Sequence, residues 1–150
     1  SNIGPFSNIR PNSKISSDVH IGTSVEIKES YIGTGTKIGH FSYIGNSELG
    51  KNVNIGAGTV TCNFDGLTKN PTFIEDNVFI GSGTMIIPPI TIGKNASTGA
   101  GSIVTHDIPA GKLAFGNPAN LREIKKPNPH SSPNTPSKLP NRSKSKKHTD

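Results

Sequence analysis

The chain is expected to fold as an all-β protein, a parallel β-helix of triangular section with one extended loop and a C-terminal tail. Three regularities predict this. An aliphatic residue recurs at six-residue spacing, at Ile3, Ile9, Ile15, Ile21 and Ile27, then at Ile32, Ile38, Ile44, Leu49 and Ile55, and again at Ile74, Ile80, Ile86 and Ile92. Two positions earlier stands a small or β-branched residue, as at Ser7, Val19, Thr36, Ser42 and Val78. Gly follows many of the aliphatic positions, as at Gly4, Gly22, Gly39, Gly56 and Gly81. Such a hexapeptide period marks a β-helix in which each hexad is one short strand and one corner.

Within a strand, residues two apart face the same side, so the aliphatic residue and the small residue before it both point to the axis. The glycines are expected to supply the corner dihedrals. Three hexads close one coil, and coils stack at the strand separation of roughly 4.8 Å. The hexads from Ile3 to Ile27 are regular. Five-residue steps from Ile27 to Ile32 and from Ile44 to Leu49 then put Ile44 over Ile27 and Ile55 over Ile38. Residues 61–71, TCNFDGLTKNP, are polar turn-formers and are expected to loop out of the prism. Insertions in repeat proteins map to one face, often the binding face, and a tolerated excursion is the alternative. Hexads resume at Ile74 and run to the turn FGNPANL. A single coil cannot bury its own inner face, so stability comes from stacking.

Composition fits one elongated domain with a narrow aliphatic core: 150 residues, 30% hydrophobic, with 17 Gly, 12 Pro and no Trp. No run is long and apolar enough to cross a membrane as a helix, and no signal peptide opens the sequence. The single Cys62 excludes an internal disulfide and fits a reducing compartment, so a cytoplasmic location is expected. From Arg122 onward there are eight Lys or Arg against two acids, while residues 1–121 hold eight of each. The basic excess therefore belongs to residues 122–150, rich in Pro, Ser and Lys, expected to be a disordered tail beyond a domain at 1–121. Solvation is the plain reading of that tail; contact with an acidic or polyanionic partner is the other. Neither a membrane nor nucleic acid is expected as the partner of the domain.

Register places side chains together. Arg10 and Lys28 are one full coil apart and stack on one outer face. Adjacent cations repel unless an anion lies between them. Glu26, projecting from the same face, is a candidate neutraliser; a bound phosphate is the functional alternative, since Arg offers a planar fork and Lys a mobile point charge. Tyr43 falls one coil beyond Glu26, and Ala57 one coil beyond His40. His40 sits at the corner leading into the face of Tyr43, Lys28 and Arg10. A histidine there is a reasonable general base, or simply a solvated corner residue.

The stretches GPFSNIRP, VEIKES, KIGHFSYIGNSELGKNVNIGAGTVTCNFDG and VFIGSGT resemble the acetyltransferase domain of bacterial bifunctional N-acetylglucosamine-1-phosphate uridyltransferase/glucosamine-1-phosphate acetyltransferases. The resemblance runs from about Ile3 to Thr105 and is far more specific in GHFSYIG and NIGAGTVTCNFDG than in the generic hexads. It implies left-handed coiling, an exception to the usual crossover rule, and a parallel homotrimer. It implies acetyl-CoA-dependent N-acetylation of glucosamine 1-phosphate to N-acetylglucosamine 1-phosphate, a supply step for UDP-linked cell-wall precursors. His40 would be the general base. Arg10 and Lys28 would hold the phosphate, and Tyr43, Asn54 and Lys69 would complete the sugar site, with Lys69 reaching from the loop toward a neighbouring subunit. Glu26 would support the site electrostatically. Ala57, Asn63, Phe64, Ser82 and Ala100 match positions that contact acetyl-CoA, and Asn63 and Ser82 are the nearest oxyanion candidates. No metal is needed, nor an acyl-enzyme, which leaves Cys62 a structural role.

Three departures accompany the match. The family's nucleotidyltransferase domain is absent from this sequence. Phe64 stands where Tyr is common, and Asn117 where an Arg contacts the cofactor's phosphates. Another sugar or amino-sugar acyltransferase of the hexapeptide class is the alternative within enzymes, and a noncatalytic hexapeptide scaffold the alternative outside them. A carbonic anhydrase of the same fold would need three zinc-binding histidines, which His20, His40 and His106 do not form.

Overall fold

The computed structural model describes residues 1–124, which form a three-faced parallel β-helix. The first face stacks β1 (Asn2–Ile3), β4 (His20–Thr23), β7 (Lys37–His40), β10 (Asn54–Ile55), β13 (Phe79–Ile80), β16 (Ser97–Thr98) and β18 (Lys112–Phe115), and ends in β19 (Asn120–Glu123). The second stacks β2 (Asn8–Ile9), β5 (Glu26–Lys28), β8 (Tyr43–Gly45), β11 (Val60–Thr61), β14 (Met85–Ile86) and β17 (Ile103–Val104). The third stacks β3 (Lys14–Ile15), β6 (Tyr31–Ile32), β9 (Ser47–Leu49), β12 (Thr72–Ile74) and β15 (Ile90–Ile92). Among the described residues no helix is long and apolar enough to cross a membrane.

The register is the one the hexads dictate. Ile21 pairs with Ile38, Ile38 with Ile55 and Ile55 with Ile80; Ile27 pairs with Ile44; Ile32 pairs with Leu49, Leu49 with Ile74 and Ile74 with Ile92. These side chains are buried in one core, each worth on the order of 1.5–3 kcal/mol relative to exposure. Most hydroxyls two positions earlier are tolerated inside because they bridge at the corners, those of Ser13 and Thr72 being buried without a partner. Thr36 Oγ1 donates to the Gly50 carbonyl at 2.9 Å and accepts from the Val53 amide at 3.0 Å, and Thr84 Oγ1 donates to the Gly81 carbonyl at 2.6 Å.

The glycines behind the aliphatic residues do not turn the corners, contrary to the sequence reading. Left-handed backbone falls three residues after the aliphatic position, at Asn12, Asp18, Asn52, Asn77 and Asn95 and at Gly35, Gly58, Gly83 and Gly101. At the two five-residue steps it falls two residues after, at Glu29 and Asn46. Asn and Asp tolerate this conformation because a short polar side chain bonds locally. Most of the other glycines are required by close approach of neighbouring atoms, Gly39 excepted, where a Cβ would meet nothing within 4 Å. Gly4, Gly22, Gly39, Gly56, Gly81 and Gly99 form one column at the edge of the first face, and a Cβ on Gly81 would lie 2.6 Å from both the Ala100 amide nitrogen and the Thr98 carbonyl oxygen.

The stack closes with β18 and β19 as an antiparallel hairpin pairing Leu113 with Arg122 and Ala114 with Leu121. The Arg122 guanidinium lies 4.2 Å over the Phe115 ring, and Lys112 pairs with Glu123. Strand thus carries two residues past the expected boundary at 121, and residues 125–150 of the expected tail lie outside the described residues. Gly81→Ala is expected to lower unfolding stability by about 1–3 kcal/mol through overpacking against a backbone that cannot yield. An unchanged midpoint in chaotrope unfolding would show that the coils separate locally at no cost.

Candidate active site

Where the first face turns into the second, register stacks Thr23, His40, Ala57, Ser82 and Ala100 directly behind the glycine column. His40 ends β7 and is exposed. Above it the residues with side chains are Ala, Ser and Ala, and the corner residues Gly58, Gly83 and Gly101 carry none. A Cβ built on Gly58 or Gly83 would meet only the next glycine, at 3.7 and 3.8 Å, and one on Gly101 nothing within 4 Å. The corner glycine amides are spent between coils: Gly58 donates to His40, Gly83 to Ala57 and Gly101 to Ser82. The amides of Ala57, Ser82 and Ala100 meet no backbone acceptor among the described residues. The result is a shallow channel along the prism edge, floored by backbone, with free N–H donors and a histidine at its lower end. Being on a convex edge, it has a floor and lacks an opposing wall within the chain.

The second face carries charge. Asn8 pairs with Glu26 and Ile9 with Ile27, which stacks Arg10 against Lys28. Arg10 Nη1 donates to Glu26 Oε1 at 3.0 Å, both side chains being about two-fifths exposed, so Glu26 occupies the neutralising position expected of it while Arg10 keeps donors free. Lys28 is nearly covered, 14% exposed, with its Nζ 3.7 Å from Glu29. Lys69 lies against it, and the Lys28 ammonium pushes the Lys69 pKa down. An anion between them would relieve that repulsion.

The loop reaches this cluster by its own wiring. Asp65 Oδ1 accepts from the Thr68 and Leu67 amides at 2.7 and 2.8 Å, and Oδ2 from Asn70 Nδ2 at 2.8 Å. These bonds, the Thr68 amide foremost, hold the Asp65 carboxyl well below the usual carboxylate range. Phe64 bridges Lys69 in antiparallel fashion, so the loop doubles back. At its base the buried Asn63 donates to Asn46 Oδ1 at 2.6 Å, and Asn46 Nδ2 donates to Glu29 Oε2 at 2.8 Å. That bond, chiefly, lowers the Glu29 pKa. A chain of polar contacts thus runs Asn63, Asn46, Glu29, Lys28.

The sequence-predicted residues therefore fall into separate groups. Arg10, Glu26, Lys28, Tyr43 and Lys69 share the second face. His40, Ala57, Ser82 and Ala100 share the edge. Asn54 faces outward from the first face between Lys37 and Phe79, on the far side of that edge from Tyr43. Two expectations are corrected. Lys69 does not reach away from its own coils; the Asp65 turn brings it back to its own Lys28. Asn63 is not positioned as an oxyanion donor beside His40, because its amide is engaged by Asn46 at the opposite edge of the second face. Phe64 is 60% exposed on the loop, and Asn117 is exposed in the closing turn. Burial raises the Cys62 pKa, which disfavours a reactive thiolate. Glu29 and Asn46 went unread in sequence, although the two shortened hexads were the signal for them. A hollow of about 400 Å³ on the third face shares only Glu29 and Asn46 with these groups and is remote from His40 in the coil register.

Known proteins bear on this geometry. The family described as bacterial transferase hexapeptide (six repeats) matches residues 29–63 and 71–106. Over these two stretches the chain carries the hexapeptide repeats of that family. Among its relatives are proteins named bifunctional protein GlmU: from Thermodesulfovibrio yellowstonii, 57% identical over 115 residues, covering 77% of this chain and 25% of that one; and from Carboxydothermus hydrogenoformans, 54% identical over 125 residues, covering 83% and 27%. The chain thus spans about a quarter of the length of the relatives it matches. A similar solved structure is PerB from Caulobacter crescentus in complex with CoA and GDP-perosamine, with TM-score 0.71 and 25% identity over 81% of this chain and 58% of that one. The acetyltransferase domain of PglB from Neisseria gonorrhoeae, in complex with acetyl coenzyme A, shares the fold, with TM-score 0.69 and 24% identity over 79% and 55%.

Asp65→Ala should free the loop without melting the helix: amide hydrogen exchange at Leu67 and Thr68 rises while the core amides keep their protection. Because the native Asp65 pKa is depressed, its contribution is complete above the ordinary carboxylate value of 3.8 and is lost as pH falls below it. Equal exchange in variant and parent would remove Asp65 from the loop's support.

Proposed function

We propose that the chain is an acetyl-CoA-dependent N-acetyltransferase whose acceptor is an amino-sugar phosphate, glucosamine 1-phosphate. One observation carries the reading: the backbone-floored channel of Ala57, Gly58, Ser82, Gly83, Ala100 and Gly101 ends on His40. An extended thioester-bearing chain fits a channel that no side chain blocks, with the amides of Ala57, Ser82 and Ala100 as donors along it. The GlmU relatives and the CoA-bound neighbours favour the same donor. The residues therefore suit acetyl-CoA as co-substrate.

His40 takes a proton from the acceptor amine as the nitrogen attacks the thioester carbonyl. The C–N bond forms, the C–S bond breaks, and the CoA sulfur leaves with a proton. General-base help of this kind is worth about 10²- to 10⁴-fold. Ser82, one column position removed from Ala57, is the remaining oxyanion candidate. Arg10, Lys28 and Lys69 hold the phosphate, with Glu26 fixing the Arg10 fork so that its outer donors face the anion. Tyr43 and Asn54, on either side of the His40 edge, are the remaining sugar contacts.

The acceptor is tested by turnover of acetyl-CoA with glucosamine 1-phosphate and with glucosamine. His40→Ala should lower kcat on the phosphate by two or more orders of magnitude in a folded protein. Arg10→Ala should lower kcat/KM for glucosamine 1-phosphate severely and leave the slow use of glucosamine unchanged. Equal loss on both acceptors would assign Arg10 to the fold, and acetylation of a sugar nucleotide but not of glucosamine 1-phosphate would support the other amino-sugar reading.

We further propose that the site is completed in a homotrimer. His40 lies at one edge of the second face and the base of the Lys69 loop at the other, and the channel needs an outer wall. A neighbouring copy supplies that wall, setting the His40 edge of one chain against the Lys28 and Lys69 cluster of the next. Mixing inactive His40→Ala and Lys69→Ala chains should restore part of the activity. No recovery despite demonstrated exchange of chains would place the site within one chain.

A further inference from the structure

At the edge between the first and second faces, every coil turns on one left-handed residue. From the bottom these are Phe6, Ser24, Phe41, Gly58, Gly83 and Gly101, with φ of 58°, 56°, 46°, 74°, 69° and 71°. The column changes character at the coil of His40: glycine above, side chains from Phe41 down. A bulky residue at positive φ is a backbone outlier that only strong local demand sustains. Burial supplies no such demand here, since Phe41 is 66% exposed. The corners elsewhere meet the same dihedral mostly with Asn, at Asn12, Asn46, Asn52, Asn77 and Asn95, and otherwise with Asp18, Glu29 and Gly35. The Phe41 ring stands 6.3 Å from the His40 ring, centroid to centroid, tilted by 38°. It is thus the first side chain met below the glycine run, beside the candidate base.

We infer that Phe41 determines acyl-group specificity by ending the channel just past the reacting carbonyl, so that a two-carbon acyl group fits and longer chains do not. This rests on the reading of the channel as the site of an acyl thioester. With the carbonyl at His40, each further acyl carbon is directed down the column and meets the ring. Where the column is glycine, no such stop exists.

The test compares kcat/KM for acetyl-, propionyl- and butyryl-CoA in the parent, in Phe41→Asn and in Phe41→Gly, with glucosamine 1-phosphate as acceptor. Both replacements suit positive φ, so the fold should be retained, with a melting midpoint no lower than the parent's. The butyryl-to-acetyl ratio should rise about ten-fold or more, the scale on which pockets discriminate methylene groups. An unchanged ratio in variants that still use acetyl-CoA overturns the inference while leaving the donor reading intact. So does loss of all three donors in a folded variant, which would make Phe41 a requirement for transfer rather than a limit on length. A parent protein that transfers no acyl group from any of the three overturns the donor reading itself, and this inference with it.

Discussion

Everything in this molecule depends on parallel register between coils. Ile9 lies on Ile27 and Ile27 on Ile44 because each coil can hide its inner face only against the next. That constraint acts on the outside as strictly as on the inside. A residue's outer neighbours are those one coil above and below, so Arg10 must meet Lys28, and His40 must stand beneath Ala57. Function here is written as columns rather than as local motifs. The excursion between Thr61 and Thr72 respects the rule: Leu49 pairs with Ile74 across it, so the loop leaves and returns without disturbing the columns above.

The corners divide the labour. At the edge between the second and third faces, the two shortened turns place Glu29 and Asn46 at left-handed positions, where their side chains tie Lys28 to the base of the loop. At the edge between the first and second faces the turns are full length, and the upper ones are glycine, which leaves bare backbone. One edge is thus stiffened by polar contacts and gathers Lys28 and Lys69. The other is stripped of side chains and can lie close to an extended ligand.

The fold was legible because aliphatic spacing reports the buried side directly. The column partners of Arg10, Glu26 and His40 followed from counting, since register is arithmetic once the period is known. Glycine was misread because a sequence does not distinguish need for positive φ from need for a missing Cβ; coil-to-coil approach at Gly81 imposes the second, while Asn95 and its counterparts satisfy the first. Lys69 and Asn63 were misplaced for another reason. The Lys69 position depends on Asp65 accepting four hydrogen bonds within the loop and the Asn63 position on its bond to Asn46, and no period governs either. The closing hairpin was legible only as a turn, since its return strand pairs antiparallel and owes nothing to the hexad.

The contrast between Phe41 and Gly58 shows how a repeat acquires chemistry. Both occupy the same corner of successive coils, with the same sign of φ, and the repeat alone is satisfied better by glycine. Phe6 meets the same dihedral two coils below, so what sets Phe41 apart is its place, its ring 6.3 Å from that of His40. Asn12, Asn52, Asn77 and Asn95, which sit where no such group is near, follow the backbone's own preference instead. Departures from the period, in the two shortened corners, the loop and Phe41, gather around the lower half of the second face and its edge with the first. The upper coils keep to the period, and their uniformity is what leaves the channel open above the base.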